Sequence, residues 1–102
     1  MAQFRAYRNH RRSRDRVPYL LDVQSDLFDL GTRLIAPLVL ERHFTGRMAR
    51  LHPVLTVEQC RVVMSAADLV ALPVHDLRDE VADLSAARQD ILAAVDFLIS
   101  GY

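Results

Sequence analysis

The sequence predicts a small, mainly β domain: an antiparallel sheet or small barrel followed by one C-terminal helix. Three observations carry this. At least five short extended segments precede residue 75, the links between them are too short for the crossovers that parallel strands need, and near the C-terminus the apolar residues change to helical spacing.

Residues 3–7 alternate as a short strand around Phe4 and Tyr7. Residues 9–16 are almost devoid of apolar side chains, and their like charges repel, so they read as a solvated loop, with a phosphate-binding arm as the alternative. Pro18 opens a strand over 19–24 because it cannot donate within a ladder. Asp26, Asp29 and Gly31 signal turns, and 33–40 is a further apolar run whose Pro37 places it at a sheet edge or a bulge. A polar link over 41–50 leads to two extended pieces, 54–57 and 61–64, joined through the hairpin-length segment Glu58-Gln59-Cys60. A shorter piece spans 71–74. In the tail, Ile91, Val95 and Leu98 recur at i, i+4 and i+7, with Leu92 and Ile99 widening the stripe; Ser85 is a plausible N-cap, Gly101 fits a left-handed C-terminus, and the same period could reach back through Leu84, Val81 and Leu77.

At 102 residues the chain forms one domain, spanning 1–102, and a domain of that size buries only about 60–65% of its unfolded surface. Pairing with a second chain would help so small a core. Arg and Lys together number 13, as do Asp and Glu, so no net field holds DNA or an anionic membrane non-specifically. The two ends differ in sign: Arg5, Arg8, Arg11, Arg12, Arg14 and Arg16 crowd the start, and acidic residues from Asp76 to Asp96 crowd the last third. Cys60 is the only cysteine, which excludes an intramolecular disulfide and a Cys-type zinc site. No apolar run has the length of a membrane span, and the first residues lack a signal-peptide core, so the expected compartment is the cytoplasm.

Enzyme chemistry finds little footing. His10, His43, His52 and His75 lack metal-ligand spacing, the glycines are too scattered for a phosphate-cradling turn, and Asp26-Asp29 and Asp79-Glu80 have the placement of turn and helix-start acids. No metal, no cofactor and no catalysis are expected. A protein working through a surface remains, and Asp96, Ser100, Gly101 and Tyr102 end the helical stripe at a terminus that is either frayed or free to enter a partner's groove.

Gln3-Phe4 with Tyr7, the charged loop, Leu21-Asp22-Val23-Gln24-Ser25-Asp26, Arg33 with Pro37-Leu38, Pro53-Val54, Pro73-Val74 and Glu80-Val81-Ala82-Asp83-Leu84-Ser85 follow one another as in CcdB toxins. The chain resembles that family over essentially its full length. The resemblance implies an SH3-like barrel of antiparallel strands (CcdB/MazF-like), a homodimer, and the toxin of a type II toxin–antitoxin system of the plasmid-maintenance kind. It implies a partner, the DNA gyrase A subunit, with gyrase inhibited or poisoned, and neutralisation by a CcdA-like antitoxin. No direct nucleic-acid contact without the antitoxin and no membrane contact are implied. By position the gyrase contact falls on Leu27, Phe28, Asp96, Ile99, Ser100, Gly101 and Tyr102, and the antitoxin contact on Gln3, Phe4, Tyr7, Asp22 and Ser25. The chain departs from the toxic members' Trp-Gly-Ile ending: it closes on Ser100-Gly101-Tyr102, and serine has no flat π surface to stack on an arginine. A non-toxic homologue that binds antitoxin as a decoy is the alternative, and an endoribonuclease of the MazF type a more remote one.

Overall fold

The computed structural model describes residues 2–101. It contains seven strands, β1 (Arg5–Arg8), β2 (Tyr19–Asp22), β3 (Thr32–Leu40), β4 (Val54–Val57), β5 (Cys60–Met64), β6 (Val70–Pro73) and β7 (Glu80–Asp83), and one helix, α1 (Arg88–Ser100). Every pairing is antiparallel. The order is β4-β5-β3-β2-β1-β7, with β6 beside the first half of β3. The sheet curls into a half-barrel and α1 packs against it, the mainly β fold expected.

The period of two along β2 and β3 sorts their side chains into two cores. Tyr19, Leu21, Ala36, Leu38 and Leu40 face a large cluster shared with Ile91 and Ala94 of α1. Leu20 and Ile35 face the other way and meet Tyr7, Leu72 and Leu77. Both faces of these strands are therefore covered, which is why they read as continuous apolar runs.

Pro37 is not at an edge. Its strand is central, flanked by β2 on one side and by β6 and β5 on the other. On that second side β6 pairs with Thr32 to Ile35 and β5 with Leu38 to Leu40, so Pro37 falls in the interval between two ladders, where its missing donor costs least. Its carbonyl accepts the Ser65 N–H at 3.0 Å.

Four further differences have local causes. The first strand begins at Arg5, because Phe4 sits at φ 68, a left-handed turn that carries its ring into the core. The β4–β5 hairpin has a two-residue loop: Val57 pairs with Cys60, and Glu58 and Gln59 both have positive φ, the geometry of a type I′ turn. The helix does not reach back to Leu77. Residues 80–83 are instead β7, paired to β1 with Val81 as an extra residue that bulges the strand. Ser85 is not the N-cap. It opens a short 3₁₀ turn and gives its own N–H to Asp83 Oδ1 at 2.9 Å, while Ala87 precedes the helix without a side-chain cap. Gly101 does end α1, at φ 80, with its N–H on Phe97 O at 2.9 Å.

No helix of the described residues is long and apolar enough to cross a membrane.

Candidate functional site

Part of the charge asymmetry of the sequence is consumed within the fold. Arg5 reaches Glu80 at 2.7 Å and Asp83 at 3.6 Å, Arg11 reaches Asp76 at 2.8 Å, and His10 Nε2 lies 2.6 Å from Asp79. Arg8 contacts Glu58 at 3.1 Å. The basic start thus lies against the acidic segment after β6, and each such exposed pair is worth only about 0–1 kcal/mol. The loop over 9–16 is not wholly solvated, either: Asn9 is buried and donates to Ser13 Oγ and Val17 O while accepting the Arg11 N–H. Beside it a cleft of about 530 Å³ is lined by Asn9, His10, Arg11, His75, Asp76 and Arg78. Of its two arginines, Arg11 is already answered by Asp76. Among the described residues no three His, Cys, Asp or Glu side chains gather as a metal site.

Most of the large apolar groups left in water fall in two other stretches, with Met48 and Val70 standing singly elsewhere. Leu27 is 87% exposed, Phe28 55% and Leu30 69%, all in the loop between β2 and β3. At the end of α1, Ile99 is 76% exposed and Leu98 42%. The predicted helical stripe therefore splits. Ile91 and Ala94 are buried and Leu92 and Val95 half-buried against the sheet, but Leu98 and Ile99 run past the core. Leu98 enters the sequence reading only as part of the helical stripe, and Leu30 not at all, although Leu30 has the same signal as its neighbours, an apolar side chain amid Asp29 and Gly31 at a turn.

The β2–β3 loop is pinned by polar groups beneath it. Asp22 is fully buried, and Arg33, itself buried, donates from Nε to Asp22 Oδ2 at 2.7 Å. From Nη2, Arg33 also reaches Gln24 O at 2.9 Å and Asp26 Oδ1 at 3.0 Å. Burial pushes the Asp22 carboxyl above the usual range, against the hydrogen bonds from Arg33 and Gln24 N–H that favour its charge. Burial alone would lower Arg33; its two carboxylate partners more than offset that and hold it above its ordinary value. The pair is costly to bury and costlier to break.

The residues marked for antitoxin contact gather around this network. Gln3 N–H donates to Asp26 Oδ1 at 2.9 Å and its amide to Val23 O at 3.1 Å. Ser25 Oγ accepts the Leu27 N–H at 3.2 Å. Phe4 and Tyr7 belong to the two cores and Asp22 to the buried pair, so their side chains hold the fold, while Gln3 and Ser25 remain partly exposed. At the helix end Asp96 and Ser100 are exposed, and Ser100 Oγ donates to Asp96 O at 2.8 Å, turned back on its own helix. The guanidinium of Arg50 lies 4.3 Å from the Phe97 ring centroid, a stacked cation just below that end. Tyr102 lies outside the described residues.

A curled antiparallel sheet with a packed C-terminal helix, exposed leucine and phenylalanine on a polar-anchored loop, and a second exposed apolar pair at the helix end are features of a binding surface. A family model described as CcdB protein matches residues 3–101, and the chain belongs to the CcdB family.

Proposed function

We propose that this protein is the toxin of a toxin–antitoxin pair, acting by binding the gyrase A subunit and inhibiting DNA gyrase, without catalysis of its own. The observation that carries this reading is the exposure of Leu27 and Phe28 on a fixed loop in a chain of the CcdB family. Large apolar side chains held in water are costly unless a partner covers them. In this reading Leu27 and Phe28, with Asp96, Ile99, Ser100, Gly101 and Tyr102, form the gyrase surface of a homodimer in the cytoplasm. Gln3, Phe4, Tyr7, Asp22 and Ser25 belong to the area that a CcdA-like antitoxin covers, the buried members through the backbone and surface they support. Expression in bacteria without antitoxin tests this: arrested growth is expected, together with binding to the gyrase A dimerisation region by calorimetry. Normal growth at high soluble expression with no binding would remove it.

A second reading is supported by Ser100, whose hydroxyl is spent on Asp96 O and offers no ring to stack on a target. Such a chain keeps the antitoxin contact and titrates antitoxin away from other toxins. If that is its role, the wild type is harmless and Ser100→Trp creates toxicity, since a desolvated cation–π contact is worth about 2 kcal/mol. An equally harmless Ser100→Trp would show that this position alone does not decide the matter.

A further inference from the structure

We infer that Gln24 and Arg33 are positioning residues for the partner-facing loop, holding its backbone so that Leu27, Phe28 and Leu30 are presented together before any partner arrives. The inference rests on the reading of Leu27 and Phe28 as residues that meet a partner.

The loop between β2 and β3 has no regular structure, and ordering one residue's backbone costs about 1–2 kcal/mol. Ser25 holds the Leu27 and Phe28 N–H groups locally, and two side chains tie the loop to the strands that flank it. Gln24 spans the loop from inside: its amide nitrogen donates to Phe28 O at 3.0 Å and Thr32 O at 3.2 Å, and its Oε1 accepts the Leu34 N–H at 2.9 Å. Arg33 fixes the loop's first half through Gln24 O and Asp26 Oδ1. Asp22 fastens Arg33 and also accepts the Gln24 N–H at 3.0 Å. These anchors end on backbone groups or on Asp26, and the side chains of Leu27, Phe28 and Leu30 stand in water. The loop is thus pre-ordered by groups that lie below the surface it displays. Binding then avoids much of the ordering cost, so the residues beneath should set affinity without touching the partner.

Gln24→Glu separates positioning from folding. The carboxylate still accepts the Leu34 N–H, so the β3 contact survives. The donating amide is replaced by an oxygen facing two carbonyls, so the hold on Phe28 and Thr32 is lost. Gln24→Met, of similar length and without any of the three bonds, replaces it should the carboxylate variant fail to fold. Amide exchange at residues 27–30 is expected to accelerate about tenfold, the equivalent of two lost hydrogen bonds, with exchange in β3, β5 and α1 unchanged. Calorimetry against the gyrase A dimerisation region is expected to show about tenfold weaker binding than wild type. Unchanged exchange at 27–30, or a variant that binds as tightly as a binding wild type, overturns the inference. A wild type that does not bind at all overturns the functional reading instead, and the wild-type control distinguishes the two.

Discussion

The β2–β3 loop and the C-terminal end of α1 both hold apolar side chains in water, and they do so by opposite means. The loop rests on a buried ion pair and a glutamine amide contributed by β2, β3 and the loop itself. The helix end rests on its own backbone ladder, on Ile91 and Ala94 two turns earlier, and on one stacked arginine. Polar support fixes a surface residue by residue and fails when one partner goes. Helical support fixes it by continuity and fails gradually toward the tip. Hence the two exposed apolar patches have different sensitivities to mutation.

The largest expected effect is at the loop. Asp22→Ala leaves Arg33 buried without its nearest anion, and breaking such a pair costs about 3–5 kcal/mol; urea unfolding should give a loss of that size, with exchange rising first at residues 24–31. If exchange rises at the end of α1 as early as in the loop, the two supports are not independent. The helix side comes next. Ile91→Ala opens a cavity between α1 and the sheet and should cost about 2–4 kcal/mol by the same measurement, and here the amides of α1 should loosen while those of residues 24–31 hold. Arg50→Ala is the smallest. It removes the cation over Phe97, worth about 0.5–1 kcal/mol at an exposed site, and should shift Phe97 and Ile99 in NMR spectra with little change in global stability. A large global loss would mean that Arg50 supports more than the tip.

The mostly apolar run that follows Pro18 and the helical period from Ile91 were legible because each is dictated by the core it covers. Pro37 was misplaced because an interval between two ladders on one side of a central strand leaves no mark in composition. Residues 80–83 fit either period, since Val81 and Leu84 satisfy a helix as well as a strand, and only the pairing with β1 decides between them. Leu27 and Phe28 were visible through family resemblance, but what holds them was not. Nothing local to Asp22 announces that it is buried, because its partner Arg33 lies 11 residues away. The pairing of the basic start with the acidic stretch after β6 is likewise a property of the sheet order and not of either segment.

The Glu58-Gln59 turn has a wider consequence. Two side-chain-bearing residues in left-handed conformation are held there at a cost of order 1 kcal/mol each, and Glu58 thereby touches Tyr19 Oη at 2.7 Å and Arg8. The tip of the β4–β5 hairpin is so tied to β2 and β1, with the Tyr19 phenol pushed up to about 12 by burial and by that carboxylate. The hairpin tip, which the strand order separates from β2 and β1, is thus held to them by a tyrosine, a glutamate and an arginine. The Glu58 carboxylate, held below its ordinary range by the Tyr19 hydroxyl and by Arg8, carries that tie, so the tie loosens with salt and as the pH falls far enough to protonate Glu58.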